Sequence, residues 1–216
     1  ELFADFKKST YQAIEQGISL NPILNSFQNS VNKFNIDNDL IDQFLHSMEM
    51  DLNPVEYTPE KYKEYILGSA EVVGLMCLKI FVQGSQSEYE KLKPHAMVLG
   101  SAFQKINFLR DIQNDINQLG RVYFPNIEGI DFNDENKKAI ENDIQKEFDN
   151  ALIGIRLLPK SARFGVYISY SYYQKLLLKI KKKSATELLK ERIRVPGFIK
   201  FIILQKAYLK KILNLI

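Results

Sequence analysis

Tryptophan is absent from these 216 residues, cysteine occurs once and histidine twice. A single cysteine excludes an internal disulfide framework and fits a reducing compartment. Cys77, between Met76 and Leu78, reads as an inert core thiol, and Met48, Met50, Met76 and Met97 as core filler. His46 and His95 lie far apart with no third ligand at metal spacing, so each reads as structural or surface. No apolar run approaches the ~20 residues a membrane span needs, and the N-terminus carries no signal-peptide pattern. There is no glycine-rich phosphate loop, no dinucleotide fingerprint, and no serine or cysteine in a nucleophile context, which argues against hydrolase chemistry. Charge of one sign is also scarce: a net +3 gives no argument for nucleic acid. The one concentrated basic run is Lys179, Lys181, Lys182 and Lys183. Such runs are mostly solvated helix ends favoured by the macrodipole; peripheral contact with an anionic membrane is the alternative.

What is present describes a cytoplasmic globular enzyme. A hydrophobic content of 45% can build one substantial core. There is little β alternation, and helical periodicity runs throughout. Helices are predicted from about 1 to 17, 22 to 34, 38 to 49, 59 to 83, 88 to 118, 134 to 156, 160 to 183 and 196 to 214. Asn21-Pro22 and Thr58-Pro59 place proline in a first turn behind a capping residue, and Asn133 offers a polar start to the sixth helix. Gly84-Ser85 and Gly120 close the two long helices. With no repeat and no linker, residues 1–216 read as a single all-α domain. Within 59 to 83, Gly68, Ser69, Ala70 and Gly74 leave little side-chain volume over two turns. Either two helices pack closely there, or the gap forms the wall of an apolar channel.

Residues 104 to 125 carry the chemistry. Asn107, Asp111 and Asp115 recur every four residues, so they share one helix face and climb roughly 12 Å along it. Gln104 falls in the same arc, while Phe103, Ile106, Leu109, Ile112 and Ile116 point elsewhere. A solvated stripe usually mixes Lys and Glu. This one is Gln, Asn, Asp and Asp, and apolar positions flank it broadly, as on a helix inside a bundle. Inward carboxylates need cations. Hard oxygen ligands that keep several waters suit Mg²⁺, and Mg²⁺ beside Arg110 and Arg121 suits a diphosphate.

The string Gln104-x-x-Asn107-x-x-Arg110-Asp111-x-x-x-Asp115, then Gly120-Arg121-x-Tyr123-x-Pro125, closely resembles the second aspartate-rich motif of the squalene/phytoene synthase family. Further segments match: Met48 to Leu52, Tyr62-x-x-Tyr65 with Gly68 to Met76, Ala162 to Val166, the tyrosines at 170, 172 and 173, and Arg192-x-Arg194-Val195. The match is nearest to bacterial phytoene synthases. It implies an all-α bundle of the isoprenoid synthase type, about eight helices around a central cavity. It also implies a first aspartate-rich motif upstream of Glu1, so the 216 residues read as an N-terminally truncated chain with little activity alone. Asp39 and Asp42, three apart rather than four, read as cap and surface residues.

The activity implied is head-to-head condensation of two prenyl diphosphates, foremost two geranylgeranyl diphosphates to phytoene. The alternatives are a squalene or dehydrosqualene synthase using farnesyl diphosphate, with NADPH for squalene only, and a non-catalytic assembly partner. By the same resemblance Asn107, Asp111 and Asp115 would hold Mg²⁺, with Mn²⁺ as substitute. Gln104, Arg110, Arg121 and Tyr123 would bind diphosphate, and Tyr65 would act near the reacting centre. Chain length of the substrate and oligomeric state are left open.

Overall fold

The computed structural model describes residues 1–52, 57–125 and 132–216, with only the backbone at 118 and 119. Among them every regular element is helical: α1 (Leu2–Gln16), α2 (Pro22–Phe34), α3 (Asn38–Met50), α4 (Pro59–Ile66), a π-helical turn (Leu67–Glu71), α5 (Val72–Phe81), α6 (Gln86–Leu119), α7 (Asp134–Leu157), α8 (Lys160–Ile180), the short α9 (Ala185–Leu188) and α10 (Gly197–Ile212). The capping residues act as their chemistry dictates. Asn21 Oδ1 accepts from the Ile23 and Leu24 amides, Thr58 Oγ1 from Lys61, and Asn133 Oδ1 from Glu135 and Asn136. Gly120 takes the left-handed conformation that ends α6.

Three boundaries differ from expectation. The helix expected over 59–83 is interrupted by the π turn at 67–71. Ser184 and Glu187 form a capping box that starts α9 where a break was expected. The helix expected over 160–183, here α8, stops at Ile180 because Lys181 to Ser184 turn towards α9. Cys77 is also not a core thiol. It is exposed and faces a cavity, although surrounding protein still pushes its thiol up.

α6 is the central element. Ala102, Ile106 and Leu109 are fully buried in a cluster shared with α4, α7, α8 and α9, while Leu92 joins a second cluster with α2, α3 and α5. Glycines bring neighbouring backbones close. A Cβ at Gly100 would lie 2.6 Å from the Ala70 carbonyl oxygen, and one at Gly68 would strike the Gln43 carbonyl of α3. The π turn sits at this double crossing. It re-phases the chain by about one residue, so that Tyr62 and Tyr65 face one part of α6 while Ser69, Ala70, Val73 and Gly74 face another.

Where the π turn meets α6 and α7, Lys105 Nζ reaches Asp143 at 2.5 Å and Glu147 at 2.7 Å, and Ser101 Oγ donates to Glu147 at 2.8 Å. Burial, then the Glu147 charge, push the nearby Glu71 carboxyl up to about 7 against the pull of Lys105.

Two outcomes follow from this packing. Gly100→Ala should lower the free energy of unfolding in urea by about 1–3 kcal/mol, since the obstacle is backbone. Gly165→Ala on α8, which meets nothing within 4 Å, should not lower it. Glu71 binds a proton more readily folded than unfolded, so its contribution is full below its ordinary 4.5 and lost as pH rises through about 7. Glu71→Gln should therefore leave Tm nearly unchanged at about pH 4.5 and raise it relative to the parent at about pH 8.

Candidate active site

Gln104, Asn107, Asp111 and Asp115 share one face of α6, and all four are half-buried rather than exposed. The face is therefore inside the bundle, where each polar group needs a partner. Asn107 Nδ2 donates to Gln104 Oε1 at 3.4 Å, and its Oδ1 accepts from the Tyr173 hydroxyl at 3.2 Å. Tyr173 is fixed by stacking on Phe103, ring centroids 4.0 Å apart.

One turn on, Asp111 lies between two guanidiniums. Arg110 donates from Nε at 3.1 Å and Nη2 at 2.5 Å, and Arg192 approaches with Nε at 2.5 Å from Oδ1. Burial opposes the charge on Asp111, but Arg110 and then Arg192 outweigh it and hold the carboxyl below its usual range. Asp115 has the opposite balance. Its carboxylate accepts no hydrogen bond from the described residues, and burial followed by the Asp111 charge pushes it up to about 6, against Arg121, Arg110 and Arg192.

Beyond Gly120 the chain doubles back, with the Arg121 amide donating to the Asp115 carbonyl at 2.8 Å. The Arg121 guanidinium then clasps the end of α3, donating to Asp51 Oδ1 at 3.0 Å and to its carbonyl at 2.6 Å. Tyr65 donates to the same carboxylate at 3.0 and 3.2 Å, and Tyr123 lies 3.4 Å from Arg121. Phe108 stacks on Tyr123 at 4.1 Å, and Tyr57 and Tyr65 close an aromatic box around them. Burial first, then neighbouring charge, holds the Tyr65 phenol neutral and far above its ordinary pKa, so it serves as a donor. Asp115, Arg121 and Tyr123 line one small cavity that joins the two groups.

A much larger cavity, about 390 Å³, begins at Gln104, Asn107 and Tyr173. Its walls come from the small residues of the π turn and α5, from α6, α7 and α8, and its far end is formed by Leu78, Phe81, Leu92 and Leu158. Along α6 it extends from Leu92 to Asn107, roughly 22 Å at 1.5 Å per residue. Both readings of the small-residue stretch are realised. Gly68 serves the close packing on α3, while Ser69, Ala70 and Gly74 clear space in the cavity wall. His95 also lines it, its ring held 2.6 Å from Asn150 Oδ1, and His46 pairs with Glu64 at the surface.

All eight sequence-selected residues thus gather around the α6 face and the turn that follows it. Sequence reasoning missed Asp51, Arg192 and Tyr173 as contributors. Each lay in a segment carrying the family likeness, but nothing local marks a residue whose partner is 66 to 81 positions away. A divalent cation fits the donor set from one side. Asp115 is a carboxylate without a donor, and Asp111 and Asn107 offer oxygens on the same face. Among the described residues no three of His, Cys, Asp or Glu come together to enclose an ion.

Asp111→Asn should bring the Asp115 carboxyl down from about 6, because it removes a like charge and frees two guanidiniums. A ¹³C carboxyl titration by NMR reads this directly; an unchanged Asp115 midpoint would show that the two carboxylates are not coupled.

A family model described as squalene/phytoene synthase matches residues 1–133. The chain is similar to phytoene synthase 1, chloroplastic, of Solanum lycopersicum, 30% identical over 206 residues that cover 87% of this chain and 49% of that protein. It is 28% identical over 204 residues to the chloroplastic phytoene synthase of Cucumis melo, covering 86% of this chain and 48% of the relative. The chain thus spans about half the length of the curated relatives it matches. Its fold is that of a dehydrosqualene synthase crystallised with a ligand (TM-score 0.80, 17% identity, 96% of this chain and 78% of that one). The squalene synthase HpnC from Alicyclobacillus acidocaldarius has the same fold (TM-score 0.70, 17% identity, 83% and 72%). With the helical bundle, the inward aspartate face and the family match over more than half its residues, the chain belongs to the squalene/phytoene synthase family.

Proposed function

We propose that the protein containing this chain joins two prenyl diphosphates head to head, foremost two geranylgeranyl diphosphates to give phytoene. One observation carries the reading: the α6 face that bears the carboxylates and their guanidinium partners runs on, at Asn107 and Gln104, into the wall of a long apolar cavity. A substrate with an anionic head and an extended hydrocarbon tail matches that polarity. The run of roughly 22 Å favours a C20 tail over a shorter one. The curated relatives carry the name phytoene synthase.

In this scheme Asn107, Asp111 and Asp115 would hold Mg²⁺, or Mn²⁺ in its place. When bound, the ion offsets charge on a departing diphosphate. The chain's own residues account for the remaining work. Arg110 and Arg121, with Gln104 and Tyr123, receive the diphosphate and orient it, and their preorganised charge favours ionisation of the allylic C–O bond. Arg192 is placed to exchange Asp111 for a phosphate oxygen. Asp51 positions Arg121 and Tyr65 together. The Tyr65 ring, within the aromatic box, faces developing positive charge. The double bond of the second substrate then attacks the allylic cation against the apolar walls. Loss of a proton gives a cyclopropyl diphosphate. Release of the second diphosphate, rearrangement and loss of another proton give the 1-1′ linked product.

The test is a product assay with Mg²⁺ and C20 or C15 diphosphates, on the 216 residues alone and within the longest reading frame that contains them. Phytoene is expected from the longer form. Asp111→Asn in that form should cut turnover by about two to three orders of magnitude, the range seen when one key electrostatic group is lost, with an unchanged circular dichroism spectrum. Consumption of C15 substrate alone would replace phytoene by dehydrosqualene, or by squalene if NADPH is required. No turnover of either would leave the aspartate face as part of an assembly partner.

A further inference from the structure

The basic run at the end of α8, the sequence's candidate for membrane contact, is largely occupied within the fold. Lys179 donates to the Arg194 carbonyl at 2.6 Å, Lys181 to Gln145 at 3.1 Å, and Lys183 pairs with Glu187 and Glu191, each at 2.9 Å. The surface with unmatched character lies further on, in α10. No Asp or Glu follows Glu191 in the sequence, while Arg192, Arg194, Lys200, Lys206, Lys210 and Lys211 do.

At about 100° per residue, Ile203 and Ala207 face α8, and Ala207 is buried. The opposite half of the helix presents Phe198, Phe201, Leu204, Tyr208, Leu209 and Ile212 around one exposed polar residue, Gln205, and continues into Leu213 and Leu215. Phe198 is 73% exposed and Leu213 65%. The lysines occupy the two flanks between buried and exposed halves. Their local partners are neutral: Lys200 lies over the Tyr172 ring, Lys210 donates to the Tyr167 hydroxyl, and Lys211 lies over Phe164. Among the described residues, none of the α10 lysines has a carboxylate partner, so their charge is uncompensated.

We propose that α10 is the surface by which this protein lies on an anionic lipid bilayer. An apolar half-cylinder bordered by cations on both sides inserts its side chains at the acyl boundary while the lysine stems reach up to the phosphate layer. The charge pattern selects this occupant. A second copy of the chain would bring one cationic border against another. Ile23 provides a built-in comparison: on α2 it is 74% exposed, yet it lies outside any such cationic frame.

The experiment is co-sedimentation of the protein with phosphatidylcholine vesicles, alone or mixed with phosphatidylglycerol, beside analytical ultracentrifugation without lipid. Binding at least tenfold tighter to the mixed vesicles is expected, weakening as salt is raised. Phe201→Ser/Leu209→Ser and Lys206→Glu/Lys211→Glu should each reduce it at least tenfold, with helix content unchanged, and Ile23→Ser should not. Equal binding to both vesicle types, no binding, or equal loss with Ile23→Ser overturns the proposal. So does a dimer in the ultracentrifuge that Phe201→Ser/Leu209→Ser converts to monomer, which would make this face a contact between copies.

Discussion

Charge placed on the inward face of a helix must be compensated, and much of this molecule can be derived from that one requirement. Asp111 is tolerable inside the bundle because Arg110 and Arg192 surround it. Arg192 reaches it only because the segment between α9 and α10 passes Asp111, so the counter-charge ties the C-terminal chain to α6. The same applies at Asp51, whose carboxylate draws Arg121 and Tyr65 to the end of α3. Asp115 is the exception, half-buried with no donor among the described residues. Burial and the neighbouring Asp111 charge therefore raise its carboxyl to about 6.

The second constraint is space. An apolar cavity survives in a close-packed interior only where the surrounding side chains cannot fill it. Ser69, Ala70 and Gly74 on one wall and Gly100 on α6 are too small to do so. Cys77 and Ser169, lining the cavity from α5 and α8, are both exposed, so it opens to solvent between those helices. The polar face and the empty space meet at Asn107. That residue belongs to both, bonded to Gln104 and Tyr173 yet lining the cavity.

Much of this could be read from the sequence because the informative signals were local. The four-residue recurrence of Asn107, Asp111 and Asp115 defines a face without any knowledge of tertiary structure. Asn21, Thr58 and Asn133 declare helix starts through their own side chains. What escaped depends on distant partners. Arg192 has no local mark that sets it apart from Arg194, yet only Arg192 meets Asp111. Cys77 sits in an apolar stretch that resembles core, and its exposure arises from empty space shaped by three other helices. The π turn was invisible because Leu67 to Glu71 carry no breaker other than Gly68, and the α3 backbone that lies close to Gly68 is about 25 residues away in sequence.

That turn has a consequence for how the protein can vary. A π turn holds one residue more than the α-helical turn it replaces. Deleting one of residues 67–71 would let an ordinary turn close over the same span, with α4 and α5 left in place. Within α4 or α5 there is no such slack: losing a residue there would rotate one part of the helix relative to the other by about 100° and shorten it by about 1.5 Å. Tyr62 and Tyr65 would then leave the aromatic box, or the small residues would leave the cavity wall. The wide turn is thus a point of tolerance, where a codon can be lost with less harm than in the regular helix on either side.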